Sequence, residues 1–236
     1  MFDLAPVGWL QRDQGVLAAA TGVPVATLNG IWIASLNPDG NIVAAMFDRL
    51  DASGLPYCLQ LRPGISRDIT DQALARGMQL DHSIPLMVLD DTAQLAQAQQ
   101  VAGLSIRQLE PQERSVHINI AADAFGAPAE MFDQLMTAEL LGGTGIRCYV
   151  GEAEADCVAT GLGTTLGAFV AVFNIATRTA YRGHGYATAV TARTVSDGFA
   201  AGARWAWLQS SPAGYNAYRR LGFRTLEEWD CWVLHP

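Results

Sequence analysis

From residue 104 to the end, apolar positions alternate over short runs and then recur every three or four residues, which predicts strands and amphipathic helices in succession. Leu104–Leu109 reads as a strand, Pro111 opens a helix reaching Ala124, and 128–141 reads as a second helix. Arg147–Gly151 and Cys157–Gly163 flank the acidic stretch 152–156 as a hairpin, and the apolar run Ala168–Ala176 predicts another strand. A helix opening at Gly183-His184-Gly185 puts Ala192, Val195 and Phe199 on one face and stops near Gly202. Trp205–Gln209 reads as a strand, Ala213–Leu221 as a short helix, and Phe223–Trp229 with Cys231–Leu234 as a closing strand pair. Trp205, Trp207, Trp229 and Trp232 sit at alternating positions there, the pattern of sheet packing. The order predicts α/β architecture of the α+β kind, with a mixed, mostly antiparallel sheet rather than a doubly wound one.

Before residue 90 the runs Val25–Leu28, Ile31–Ala34, Tyr57–Leu61 and Ile84–Leu89 read as strands, with helical patterns near Ile42–Leu50 and Ile69–Arg76. The Gln- and Ala-rich stretch 90–103 ends on a glycine and marks a seam between a small α/β domain, 1–100, and a larger one, 101–236.

Composition narrows the classes. Half of the 236 residues are hydrophobic and 16% are charged, enough apolar surface for a packed core and too little charge for disorder. The stretch Gly161–Ala176 is too short and too rich in Gly, Thr and Asn to span a bilayer. Met1-Phe2-Asp3-Leu4 lacks the basic and apolar stretches of a secretory leader. Cys58, Cys148, Cys157 and Cys231 show no metal or disulfide spacing. A cytoplasmic protein without a metal or a membrane partner is expected. All fifteen basic residues are arginine, so no lysine acts as base or nucleophile. Seven of them (178, 182, 193, 204, 219, 220, 224) lie between Cys157 and Leu226, where Asp197 is the single acid. That segment carries +6 within a chain of net −8, as a local anion site would require. The −14 left on the rest would repel nucleic acid.

The strand ending at Thr177 runs into Arg178-Thr-Ala-Tyr-Arg182-Gly183-His184-Gly185-Tyr186-Ala187-Thr188. Two glycines permit a tight turn and close backbone approach, and the helix that follows offers unpaired N–H groups and the positive end of its dipole. These are the parts of a diphosphate site. A dinucleotide fingerprint would need a third glycine where Thr188 stands, together with a ribose-binding acid, and a Walker loop would need lysine. The pattern R-x-x-G-x-A, Arg182 to Ala187, resembles the acyl-CoA motif Q/R-x-x-G-x-G/A of the GNAT superfamily of N-acyltransferases. Downstream, Leu208-Gln-Ser-Ser-Pro-Ala-Gly-Tyr-Asn-Ala-Tyr218-Arg-Arg-Leu-Gly-Phe223 is similar to that superfamily's strand-then-helix segment ending in Tyr-x-x-x-Gly-Phe. The resemblance covers about 104–236 and implies a GNAT fold with acetyl-CoA as cosubstrate. By that resemblance Ile175, Ala176 and Thr177 pair with pantetheine, while Arg182, Gly183, His184, Gly185, Tyr186, Ala187 and Thr188 hold the diphosphate. Ser211 stands where many members carry Asn, near the pantetheine, and Gly214 where Ala is common.

The same resemblance makes Tyr218 the general acid to the departing thiolate, a role a phenol with a pKa near ~10 can fill for a thiol near ~8.5. Packing of the Tyr218 ring on the next strand is the alternative. Backbone N–H groups near Ile175–Thr177 are expected to polarise the thioester carbonyl. No base is assigned: Glu130, Asp133 and Glu139 read as surface acids, His117 as a helix histidine, and His184 as a turn residue whose backbone matters more than its ring. The first half, with Gly77-Met78 in the place of Gly-Phe, Ala73 where the Tyr would stand and no acyl-CoA turn, resembles a shortened, degenerate GNAT copy that roofs the acceptor cleft or forms a homodimer surface. The expected function is N-acetyl transfer to a small primary amine or to an amino group of a larger acceptor. The alternative is a non-catalytic acyl-CoA-binding module, and a nicotinamide-dependent reductase is disfavoured.

Overall fold

A computed structural model describes residues 8–234. The leader reading of residues 1–4 lies outside them. Two compact units emerge, one taking in the described residues up to Pro85 together with those from Glu227 to Leu234, the other running from Leu86 to Leu226.

In the first unit β1 (Trp9–Asp13) and β2 (Val16–Ala20) form an antiparallel hairpin, and β3 (Gly30–Ile33) runs antiparallel to β2. Helix α1 (Gly40–Asp51) crosses over to β4 (Cys58–Leu61), parallel to β3, and α2 (Arg67–Ala75) follows. Ile31, Ile33, Leu59 and Leu61 from the sheet meet Val43, Met46, Phe47 and Leu50 of α1 and Ile69 and Ala73 of α2 in one core. The hairpin escaped the sequence pattern because its turn, Gln14-Gly15 with φ of 43° and 80°, is not one of the Asn-Gly or Asp-Gly pairs that mark such turns. The strand expected at Val25–Leu28 is instead a 3-10 turn over Ala26–Leu28. The buried Asn29 amide nitrogen donates to the carbonyls of Val23, Val25 and Pro56, and its oxygen accepts from the Thr21 N–H, which coils this segment rather than extending it.

Strand β5 (Met78–Leu89) begins in the first unit, and its residues 86–89 pair antiparallel with a strand of the second. The second unit then continues through α3 (Leu95–Ala98), β6 (Leu104–Gln108), α4 (Arg114–Phe125), α5 (Ala129–Leu135), α6 (Ala138–Leu141), β7 (Ile146–Ala153), β8 (Asp156–Leu166), β9 (Phe169–Thr177), α7 (Tyr186–Ala200), β10 (Trp205–Gln209) and α8 (Pro212–Arg220). Its sheet runs β6-β7-β8-β9-β10-β5, antiparallel from β6 to β9, parallel between β9 and β10, and antiparallel again to β5. This is the mixed, mostly antiparallel sheet flanked by helices that the element order predicts. The last strand, β11 (Arg224–Leu234), pairs antiparallel with β4 of the first unit through Asp230–Val233.

Three boundaries differ from the sequence reading. The seam expected at 90–103 belongs wholly to the second unit, because Leu86–Leu89 supply a strand to β10 and Leu95 joins its core. The closing strand pair is one strand, since Asp230, read as part of a turn, is a ladder residue whose carboxylate accepts from the Ser83 hydroxyl. The helix expected over 128–141 breaks after Leu135. There Thr137 caps α6 by accepting from the Leu140 N–H, and Arg114 donates to the carbonyls of Asp133 and Met136.

Helix α7 lies close against the sheet because glycines meet it. A Cβ at Gly161 would stand 2.4 Å from Ile175 Cδ1, one at Gly163 2.5 Å from Thr194 Cγ2, and one at Gly198 2.7 Å from Val170. That close packing fixes where the N-terminus of α7 points.

Candidate functional site

The site grows out of β9. Its register with β8 slips between Leu162↔Phe173 and Thr160↔Ala176, so Gly161 alone faces Asn174 and Ile175. Asn174 takes φ of 48°, a left-handed value that asparagine tolerates better than most side chains. Such a bulge bends the strand and re-aims its backbone groups. On the other side, the parallel ladder to β10 ends at Ala171↔Trp207, although β9 runs on to Thr177 and β10 to Gln209. The two strands therefore part, with Phe173 and Trp207 edge to face at 5.6 Å where they separate. Ala176 and Thr177 keep their β8 partners, and the buried Thr177 hydroxyl has no hydrogen-bond partner among the described residues.

The turn after β9 is held from three sides. The Thr179 N–H donates to the Asp123 carboxylate at 2.7 Å, the Tyr181 hydroxyl to Asp156, and the Arg178 Nε to the Cys157 carbonyl at 2.8 Å. Arg182 donates to the Ala124 carbonyl near the end of α4, so its guanidinium supports the turn. Gly183 and Gly185 have φ of 85° and 82°. Around Gly183 a Cβ would meet nothing within 4 Å, which makes the left-handed backbone, not crowding, the reason for glycine. Gly185 precedes α7 and has no side chain to cap it, so among the described residues the first N–H groups, those of Tyr186, Ala187 and Thr188, lack the capping acceptor that would normally cover them. His184 stacks on Tyr186 at 5.5 Å, and its Nδ1 lies 3.0 Å from the Arg182 carbonyl.

Beyond β10, Ser211 caps α8 by accepting from the Gly214 N–H at 3.3 Å. Tyr218 lies on α8 with its ring edge-on to Phe223 at 6.0 Å, half-buried against the core beneath α7, and burial pushes its phenol up to about 12. The ring packs beside the Leu221–Phe223 turn, as the packing alternative expects.

The Acetyltransferase (GNAT) family matches the chain over residues 114–223. That segment is similar to the acetyltransferase (GNAT) family. Solved structures extend the likeness of fold over nearly the whole chain. A GCN5-related N-acetyltransferase from Kribbella flavida superposes with a TM-score of 0.69 at 17% identity, covering 97% of this chain and 90% of its own. One from Sphaerobacter thermophilus gives 0.63 at 13%, over 94% and 82%. A tandem GNAT protein from the clavulanic acid biosynthesis pathway gives 0.63 at 16%, over 98% and 85%. No curated protein matches the chain.

The GNAT family generally uses acetyl-CoA. A helix N-terminus without a side-chain cap suits a diphosphate, and separated strands leave room for an amide-bearing arm. The first unit repeats the order of elements without these openings. Its β3–α1–β4–α2–β5 parallels β9–α7–β10–α8–β11, yet β3 and β4 pair at every residue from Gly30↔Cys58 to Ile33↔Leu61. The N-terminus of α1 is already covered by a carboxylate, Asp39, accepting from the Asn41 N–H at 2.8 Å.

The residues considered as bases are exposed or engaged. Glu130, Asp133 and Glu139 are exposed on α5 and α6, and Asp133 pairs with Arg114 at 2.7 Å. His117 is fully buried, its Nδ1 2.7 Å from the Thr160 hydroxyl and 3.3 Å from Cys148 Sγ, and burial pushes its pKa down to about 4. Thr160 donates to the Tyr149 carbonyl, so His117 Nδ1 carries the hydrogen toward it. Sequence reasoning missed Asn174 and the acids that hold the turn, Asp123 and Asp156. An asparagine inside an apolar strand was the available signal for a bulge. Nothing in the spacing of 123, 156 and 179–182 marks them as neighbours. Among the described residues no group of three or more His, Cys, Asp or Glu could hold a metal ion, and no helix is long and apolar enough to cross a membrane.

Proposed function

We propose that the second unit transfers an acetyl group from acetyl-CoA to a primary amine, and that the first unit is a degenerate copy that binds no CoA. One observation carries the reading: strands β9 and β10 part beside a helix N-terminus free of any side-chain cap, with Tyr218 on the next helix. Acetyl-CoA supplies an activated thioester. In this reading the turn 182–188 holds the diphosphate through the first N–H groups of α7, and Ile175–Thr177 align the pantetheine arm. Backbone N–H groups at the bulge polarise the carbonyl. Tyr218, still protonated well above neutral pH, donates to the departing sulfur. Ser211, its oxygen engaged as a cap, has its hydroxyl hydrogen left for the pantetheine side. No base is assigned to the amine's proton, for which a carboxylate or a water could serve. The acceptor is a small amine or the amino group of a larger molecule, without nucleic acid or membrane. A cytoplasmic location and a homodimer remain part of the proposal.

The assay is release of free thiol from acetyl-CoA across a panel of amines. The chain has no lysine, so side-chain amine self-acetylation cannot supply the signal. Turnover with at least one amine, lowered at least tenfold by Tyr218→Phe, is the expected result. Tight CoA binding with no turnover on any amine would select a non-catalytic acyl-CoA module instead.

A further inference from the structure

A residue inside a strand rarely leaves the extended region, and where a bulge imposes a left-handed φ the usual occupant is glycine. Position 174 of β9 takes such a φ, 48°, with asparagine. The backbone alone would be served better by glycine, so the carboxamide needs a reason of its own. Backbone outliers of this kind gather at ligand sites, where the surrounding fold holds them in place.

Asn174 stands where β9 and β10 part. The β10 ladder has ended at Ala171, and on the β8 side neither Asn174 nor Ile175 has a partner between Phe173 and Ala176. The half-buried Asn174 side chain reaches Met136, with Nδ2 3.9 Å from Sδ. A thioether accepts and cannot donate, which orients the carboxamide with its nitrogen toward Met136 and its oxygen away from it. Met136 is fully buried and pinned, its N–H donating to the Phe132 carbonyl at 2.8 Å and its carbonyl accepting from Arg114. Asn174 Oδ1 has no hydrogen-bond partner among the described residues.

The bulge thus offers an anchored, unoccupied acceptor. Of the two reactants, a thioester carbonyl calls for donors and an amine for an acceptor. We propose that Asn174 binds the acceptor amine: Oδ1 accepts a hydrogen bond from an amine N–H and turns the nitrogen lone pair toward the thioester carbonyl carbon. This rests on the acetyl-transfer reading given above. The new C–N bond displaces the CoA thiolate, and the nitrogen gives up one proton, as in that reading. A carboxamide is no base, so the contribution is orientation. As the nitrogen bonds to carbon it gains positive charge, and its hydrogen bond to Oδ1 strengthens toward the transition state.

The test is thiol release from acetyl-CoA by the whole chain, with a panel of amines led by spermidine, tyramine and benzylamine, in Asn174→Gly and Asn174→Asp. Glycine keeps the left-handed backbone and removes the carboxamide. Aspartate tolerates that backbone and keeps an oxygen acceptor without the amide donor. Asn174→Gly should lower kcat/KM for the amine roughly ten- to a hundredfold, with CoA affinity within about twofold and thermal stability retained. Asn174→Asp should restore kcat/KM to within about threefold of the native chain. Native kcat/KM in Asn174→Gly overturns the proposal. So does an equal loss in both variants, which would assign the role to the amide N–H groups, or a matching loss of CoA affinity, which would mark a collapsed bulge. No turnover across the panel by the native chain defeats the acetyl-transfer reading and this role together, whereas the other outcomes defeat the role alone.

Discussion

Gly183→Ala separates the turn's role in binding from its role in folding. Gly183 has φ of 85° and open space where a Cβ would go, so alanine there meets no clash and suffers only left-handed strain. That strain is about 1–2 kcal/mol. Gly167 provides the matched control in the same unit, with φ of 56° and likewise nothing within 4 Å of a built Cβ. It lies just before β9, whereas Gly183 follows that strand's far end, about 30 Å along an extended strand of this length. Gly167→Ala should lose about 1–2 kcal/mol of stability in denaturant titrations of the whole chain, and Gly183→Ala at most that, less by whatever its turn relieves on relaxing. Their CoA affinities should diverge. In Gly183→Ala the turn relaxes away from the geometry that grips a diphosphate, and the ligand must restore it, weakening Kd roughly 5- to 30-fold for that strain. Gly167→Ala should bind as the native chain does. Isothermal titration calorimetry with CoA reads both. Undiminished affinity in Gly183→Ala, or an equal loss in Gly167→Ala, would refute the claim that this turn's backbone holds the ligand.

Three further outcomes follow from buried groups. His117 has its pKa lowered from 6.5 to about 4, so as pH falls the unfolded chain takes up the proton first. Stability should therefore decline as pH drops from about 6.5 toward 4, by on the order of 3 kcal/mol. His117→Leu should flatten this slope in urea titrations at several pH values, and an unchanged slope would contradict it. Gly198→Ala presses a methyl group into Val170 and should cost about 1–3 kcal/mol, read as a lower denaturation midpoint. A variant as stable as the native chain would show that α7 can lift off without penalty. Tyr218, pushed up to about 12, should keep its proton through the whole range of an acetylation assay, so the rate climbs as the amine deprotonates and shows no alkaline fall. A falling limb near pH 9 that disappears in Tyr218→Phe would contradict that.

The second unit was largely legible because its chemistry is local. The turn 182–188 and the Ser211–Phe223 segment are each short stretches of sequence, and Gly183 and Gly185 take the left-handed backbone that a tight turn there calls for. What the sequence left out depends on long-range pairing. The exchange in which 86–89 complete the second unit's sheet while 230–233 complete the first's has no local signature, since apolar runs do not name their partners. The Asp123–Thr179 and Asp156–Tyr181 contacts are non-local in the same way, so Asp156 could be read only as a hairpin acid. Arg182 illustrates a finer limit. Its charge was read as aimed at a phosphate, and it donates to the Ala124 carbonyl.

The most direct test of the anion site is Thr188→Glu, which places a carboxylate in the first turn of α7 as Asp39 does at the head of α1. An acid at that position favours the helix by about 0.3–1 kcal/mol while repelling a phosphate. The account predicts that calorimetry detects one CoA per native chain and none for Thr188→Glu, although the variant melts at the same temperature or higher. Equal CoA binding by both proteins would contradict it.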